Sequence, residues 1–325
     1  MDSRTRPVQG YSVVPMLGAD ALPPLDPRLR PWPGREIEIG EGSVHVRETP
    51  GPPGAPTAVY LHGLSGSATN WTDLATLLGS RATGVAVDLP GFGRSVPPST
   101  GRYRPADQAV ATIALLERLD APVHLLGNSL GGATALLVAE ARPDLVRTLT
   151  LVSPAMPDRR PDPRRVSDPR LVFAMLPLLG RRARRALLEM TPRERVEQVL
   201  QLCFADPQRV PEHRIVEAIE EATARTEDTW ATQALTRSAM GLFRLWASRD
   251  SLWKVAARVQ APTLVVWGGR DRVVSSRLAR RTAAGLAHGR LLLLPMCGHV
   301  AQMEQPELVA RAVLGMWEAA EAGDW

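Results

Sequence analysis

Pro122-Val-His-Leu-Leu-Gly-Asn-Ser-Leu-Gly-Gly132 is the stretch that most limits how this chain can fold. It reads as a short apolar strand, a tight turn holding one serine, and the start of a helix continuing through Ala133–Ala141. Gly127 and Gly131 flank the turn in the spacing G-x-S-x-G, where a side chain would collide with neighbouring backbone. Such a turn lifts the Ser129 hydroxyl to a helix N-terminus. Backbone N–H groups and the helix dipole there favour developing negative charge. The competing use of Ser129 is as a helix N-cap, a position serine favours.

The chain around this stretch alternates between two periods. Arg35–Gly40 and Ser43–Glu48 alternate polar and apolar residues across Gly-Glu-Gly and predict a half-buried hairpin. His45 falls on its polar face or at an edge, as a structural histidine. Thr57–Leu61, the run from Gly84, the serine strand and Arg147–Val152 are further strands. Helical patterns lie between them, at Trp71–Leu78 and at 104–120, the latter with Val110, Ile113, Leu116 and Leu119 near one face. Alternating strands and helices predict an α/β fold with a mostly parallel sheet covered on both faces. Functional groups of such sheets gather at the carboxyl ends of strands, where His62, Asp88, Ser129 and Ser153 stand.

From about Pro154 to Lys254 the alternation stops, and prolines, paired arginines and helical segments predict a helical insertion. It resumes with strands at 262–267 and 290–294 and helices at Ser276–Ala287 and Pro306–Ala320. The expected division is an irregular arm over 1–34, with Trp32 as its anchor, a core over 35–154 and 255–325, and a helical cap over 155–254.

Composition excludes several classes. The 39 Lys and Arg against 34 Asp and Glu give a net charge of +5, yet Lys254 is the only lysine. That is an arginine bias without a nucleic-acid motif, so no nucleic-acid partner is expected. No apolar run approaches the ~20 residues that span a bilayer. Tyr11–Leu22 is broken by Pro15, Gly18 and Asp20, so no conventional signal peptide is expected. Cys203 and Cys297 have no disulfide or metal spacing and fit buried apolar positions in a reducing compartment, so the expected location is cytoplasmic.

A serine hydroxyl needs a base within hydrogen-bond reach, and the base needs an orienting acid. Downstream, Asp271 in Gly268-Gly-Arg-Asp and His299 in Cys297-Gly-His-Val both sit in loops that follow strands. Both can converge on Ser129 in the chain order serine, acid, histidine. The rivals are weaker. His213 and His288 lie in charged helical sequence, and His124 is inside the serine strand. Asp88 fits a role pinning its own loop, while Asp158 and Asp250 lie within the insertion. The oxyanion donors expected are the N–H groups of Leu130, after the nucleophile, and Leu64, in the loop His62-Gly-Leu-Ser-Gly.

Together, His62-Gly63, Asp88-Leu-Pro-Gly-Phe-Gly-Arg-Ser95, Gly127–Gly132, Trp267-Gly-Gly-Arg-Asp271 and Gly298-His-Val-Ala-Gln-Met-Glu-Gln-Pro306 resemble the α/β-hydrolase family. The resemblance implies a sheet of about eight strands, a helical cap and a Ser129–Asp271–His299 triad. It implies no metal or organic cofactor. Ser129 stands where haloalkane dehalogenases and epoxide hydrolases carry aspartate, which argues against both. Gly-Asn-Ser-x-Gly-Gly is similar to the carbon–carbon hydrolases of aromatic degradation. Those enzymes carry His-Gly-x-Gly-Pro-Gly and a tryptophan after the histidine, whereas this chain has His62-Gly-Leu-Ser-Gly-Ser and Val300. A serine hydrolase acting on a carboxylic or lipid-like ester is therefore the leading expectation. The alternatives are carbon–carbon cleavage and a non-catalytic binding protein. The expected partner is a small acyl substrate. Leu171–Leu179 is strongly apolar and Arg181-Arg-Ala-Arg-Arg185 basic, which fits a cap helix with a solvated end, or, less readily, a membrane-facing acyl wall. Trp230, Phe243, Trp246 and Trp253 fit cap core or pocket lining.

Overall fold

The computed structural model describes residues 14–26, 28–40, 42–119, 122–158, 190–248 and 251–325. Eight strands form one sheet: β1 (Gly34–Ile39), β2 (Gly42–Thr49), β3 (Thr57–Leu61), β4 (Thr83–Val87), β5 (Val123–Asn128), β6 (Val146–Val152), β7 (Thr263–Gly268) and β8 (Gly289–Leu294). Their order is β1-β2-β4-β3-β5-β6-β7-β8. The β1–β2 hairpin is antiparallel and β2 joins β4 antiparallel, while the six strands from β4 to β8 in that order run parallel. Every residue of β5 and β7 is buried, because helices cover both faces; that is why these strands read as continuous apolar runs.

The described helices are α1 (Thr72–Leu78), α2 (Pro105–Leu116), α3 (Leu130–Ala141), α4 (Pro192–Cys203), α5 (Glu212–Ala224), α6 (Ala231–Ala247), α7 (Leu252–Ala256), α8 (Ala279–Ala284), α9 (Ala301–Glu304) and α10 (Pro306–Ala322). Residues of α2, α3, α7 and α8 pack with Val59, Leu125, Leu151 and Trp267 on one sheet face. Residues of α1 and α10 pack with Tyr60, Leu126, Val152 and Val266 on the other. In α10 the buried stripe Val309, Val313 and Met316 follows helical spacing, and each such side chain contributes about 1.5–3 kcal/mol when taken from water.

Several expectations change. The α2 helix ends at Leu116, and its buried side is Gln108, Ala109, Thr112, Leu115 and Leu116. Val110 is 67% exposed, while Leu116 is buried and Ile113 and Leu119 pack against the core, so the predicted stripe departs from the buried side at its first position. The smaller residues Ala109 and Thr112 allow close packing. His45 is not on a polar face or at an edge; β2 has a neighbour on each side, and the His45 ring is buried against Asp88. Ser276–Ala287 breaks into a short 3-10 turn and α8.

Val14, Met16, Leu17, Leu22 and Leu25 pack against the core cluster that includes α10, and the segment holds one 3-10 turn at Ala19–Ala21. Leu17 exchanges hydrogen bonds with Arg311 through its N–H (3.2 Å) and its carbonyl (2.6 Å). A Cβ on Gly315 would meet the Pro15 backbone, so only glycine admits this approach. Trp32 donates Nε1–H to Thr76 Oγ1 at 2.9 Å. Between β6 and β7 the described residues form helices α4–α7 and no strand. The Leu171–Leu179 and Arg181–Arg185 segments, and Asp250, lie outside the described residues. Trp246 and Trp253 donate to the carbonyls of Ala155 (2.8 Å) and Pro157 (3.2 Å), tying α6 and α7 to the segment after β6. Phe243 is 51% exposed and is not cap core.

Candidate active site

Ser129 follows β5 directly and opens α3 with φ 53° and ψ −112°, outside the regions a non-glycine residue ordinarily occupies. Three hydrogen bonds hold it there. Its N–H donates to Val152 O at 3.0 Å, and its carbonyl accepts from Ala133 N at 3.0 Å and Ala155 N at 2.9 Å. Strain of this kind persists only where the surroundings over-determine it, and it concentrates at functional sites. The side chain makes no capping hydrogen bond, so the N-cap role is not the one the hydroxyl fills.

The glycines of the motif act through backbone proximity. A Cβ on Gly127 would meet Gly131 O, and a Cβ on Gly131 would meet Leu61 O and lie 2.6 Å from His62 O. Gly131→Ala should therefore force β3 and α3 apart. A cost of about 4 kcal/mol or more is expected, read as a fall in thermal midpoint beside wild type.

The loop after β3 lies against the serine. A Cβ on Gly63 would stand 3.2 Å from Ser129 Cβ and 2.9 Å from Asn128 Oδ1. Gly66 N donates to Gly63 O at 3.0 Å, and Ser65 takes φ 67° between them. Among the described residues neither the Leu64 nor the Leu130 N–H donates to a protein partner. Leu130 is fully buried at the first turn of a twelve-residue helix, where N–H groups have no intrahelical acceptor.

His62 holds this loop from inside. Its ring accepts from Leu89 N at Nε2 (3.0 Å) and faces Gly63 O at Nδ1 (2.7 Å). A backbone N–H can only donate and a carbonyl only accept, so the proton is on Nδ1. Burial, opposed by Asp88, lowers the His62 pKa from 6.5 to about 4. The unfolded chain thus binds a proton first as pH falls. The stability involved is present above pH 6.5 and is lost on the way down to about pH 4. About 3 kcal/mol is expected, measured as the pH dependence of the thermal midpoint that His62→Gln removes. Asp88 stands alongside at the end of β4. It accepts from Ala68 N (2.6 Å) and Arg94 N (3.0 Å) and meets His45 Nδ1 at 2.8 Å. Burial opposes its ionisation, but His45, His62 and the two N–H groups outweigh burial and hold its pKa below the usual range. These contacts pin the loop after β4.

Asp271 and His299 meet, as loops following β7 and β8. Asp271 Oδ1 accepts from Val273 N (2.8 Å) and Val274 N (2.9 Å), and Oδ2 lies 2.9 Å from His299 Nδ1. The carboxylate side chain is fully buried and the imidazole 5% exposed. With Nδ1–H donated to the carboxylate, the lone pair is left on Nε2. The two loops also touch through backbone: Arg270 N donates to Cys297 O at 2.9 Å, and a Cβ on Gly268 would meet Gly298 O.

Asn128 ties this pair to the serine. Its Nδ2 donates to Val152 O and to His299 O, both at 3.1 Å. Sequence reasoning marked Asn128 only as a family feature, because nothing in its neighbours shows that its amide reaches residue 299. The rivals are elsewhere. His124 meets Thr148 Oγ1 at 2.8 Å and stacks on Trp317 at 4.0 Å. Asp158 pairs with Arg277 at 2.9 Å, and His288 is exposed. Among the described residues no group of three or more His, Cys, Asp or Glu could hold a metal ion, and no helix is long and apolar enough to cross a membrane.

Sheet order and the helices on both faces define an α/β class with a mostly parallel eight-stranded sheet, and the loops that carry Ser129, Asp271 and His299 follow the carboxyl ends of its strands. The alpha/beta hydrolase family model matches residues 58–312, and the chain belongs to that family. It is 26% identical over 279 residues to a 2-hydroxy-6-oxononadienedioate/2-hydroxy-6-oxononatrienedioate hydrolase of Cupriavidus pinatubonensis, covering 84% of this chain and 90% of that one. It is 28% identical over 267 residues to a monoacylglycerol lipase of Homo sapiens, covering 80% and 74%. A solved bacterial membrane phospholipase A matches with TM-score 0.74 and 25% identity over 89% of this chain and 86% of that one.

Proposed function

We propose that the protein is a serine hydrolase that cleaves carboxylic or lipid-like esters through an acyl-enzyme. Ser129 attacks the acyl carbon while its proton passes to Nε2 of His299. Asp271 keeps the imidazole in the required tautomer and stabilises the imidazolium. The N–H groups of Leu64 and Leu130 receive the oxyanion; losing one such donor typically costs about 10²–10³ in rate. The imidazolium then protonates the leaving alcohol. Water, deprotonated by His299, attacks the acyl-enzyme and releases the acid. The cap over 155–254 would bound the acyl pocket.

The observation that carries this reading is Ser129 itself: a strained, well-tethered residue whose hydroxyl caps nothing, joined through Asn128 to a histidine already oriented by a carboxylate. The similarity to a monoacylglycerol lipase and a phospholipase supports an ester substrate. Carbon–carbon cleavage is favoured by the similarity to the 2-hydroxy-6-oxononadienedioate hydrolase and by the Asn128-Ser129 pairing, which resembles that of the ring-fission hydrolases. Here the Asn128 amide is already bonded to two carbonyls, a use that needs no diketone.

A chain-length series of p-nitrophenyl esters, run beside a vinylogous diketone, tests the reading. Ester turnover with fluorophosphonate labelling at Ser129 is the expected result. Turnover of the diketone alone would replace it with carbon–carbon hydrolysis. Folded protein that neither labels nor turns over would point to a binding module.

A further inference from the structure

The motif Gly298–Pro306 contains an acid that the mechanism does not use, Glu304, at the last position of α9. Its carboxylate faces the histidine loop: Oε2 accepts from Gly298 N at 2.7 Å and lies 3.5 Å from Cys297 Sγ. The same carboxylate accepts from Ala205 N at 3.1 Å through Oε1 and 3.2 Å through Oε2. Ala205 belongs to neither core loop; it lies just beyond α4, in the insertion between β6 and β7.

The end of α4 touches both loops of the acid–base pair. Carbonyls in the last turn of a helix have no intrahelical partner and must be satisfied from outside. Cys203 O accepts from the N–H of His299 at 2.6 Å, and Gln201 O accepts from Arg272 Nη1 at 2.8 Å, one residue after Asp271. A Cβ on Gly298 would meet Cys203 O and stand 2.7 Å from Ala205 N, so the fit leaves no room for a side chain. Hydrogen bonds from two N–H groups to one carboxylate are charge-assisted, roughly twice as strong as neutral ones.

We infer that Glu304 is a positioning residue for His299, clamping the histidine loop against the C-terminal end of α4. It acts through the backbone of residues 298 and 299, not on substrate. The insertion is therefore part of what holds the base in register. This inference rests on the serine-hydrolase reading above.

Without the clamp the imidazole loses its register with Ser129, and a misplacement of about 1 Å can cost on the order of 10²-fold in rate. Glu304→Ala should lower kcat by about 10–100-fold with KM unchanged, counted per active site titrated by fluorophosphonate. Glu304→Gln, which keeps one acceptor oxygen for Gly298 N, should recover part of that loss. The Nδ1–H proton resonance of His299 should shift in Glu304→Ala.

A lowered thermal midpoint with wild-type kcat per titrated site and an unmoved resonance would show a merely structural acid and overturn the inference. So would equal loss in the Ala and Gln variants. If Glu304→Ala fails to fold, Arg272→Ala opens the other contact to α4. A fall in kcat at constant KM is expected there, and wild-type kcat overturns the role of the helix end. Should wild type itself turn over no ester and take no label, the hydrolase reading is what fails. The proton resonance then still reports whether Glu304 positions His299.

Discussion

Ser129→Ala is expected to cost on the order of 10⁶ in kcat and to abolish fluorophosphonate labelling. The substitution removes one oxygen and little else. The hydroxyl makes no capping bond, so no folded-state partner is orphaned. Alanine keeps a Cβ at the same φ of 53°, so the strain of the turn is unchanged. The thermal midpoint should therefore stay close to wild type while turnover disappears, and the two measurements together separate a lost nucleophile from a lost fold. Ser129→Gly provides the complement. It removes the same oxygen but relieves the positive-φ strain, which costs of order 1–3 kcal/mol, so that variant should be equally inactive and more stable. Turnover by Ser129→Ala within tenfold of wild type would exclude Ser129 as the nucleophile.

Asp271→Asn should lower kcat by about 10⁴-fold while leaving the fold intact. The direction follows from the contacts of each carboxylate oxygen. Oδ1 accepts from two backbone N–H groups, those of Val273 and Val274. In the asparagine variant the amide oxygen must stay there, because an NH2 group cannot accept. That turns the NH2 toward His299 Nδ1, where the carboxylate Oδ2 now lies at 2.9 Å. The imidazole must then accept at Nδ1 and carry its proton on Nε2, the nitrogen that should receive the serine proton. The enzyme is left folded, with the base in the wrong tautomer. Kinetics show the loss, and imidazole nitrogen shifts show the tautomer. An unchanged kcat would remove Asp271 from the proposed triad.

These predictions concern residues that the sequence itself makes legible. Ser129 stands out because a strained turn needs glycine at Gly127 and Gly131, and those needs are written within a few positions. Asp271 and His299 stand out as candidates because strands announce themselves by apolar runs, and the rim is where such strands end. The α2 stripe shows where this reasoning weakens. Val110 and Ala109 are adjacent, and periodicity alone does not decide which of them is buried; the structure buries the smaller. His45 is a structural histidine as expected, but buried and off the edge, because the alternation of a hairpin does not tell which side a third strand will cover.

The order of elements, the parallel sheet and the residue types at its rim were thus determined by the chain's local pattern. The tertiary structure alone decided which distant groups meet there: Asn128 with the carbonyl of His299, Glu304 with Ala205, and Cys203 with the histidine's own N–H. The physical reason is that each of these contacts uses a main-chain carbonyl or N–H. Nearly every residue carries the same two groups, so no side-chain pattern marks the ones that will be used until the backbone has been brought to them.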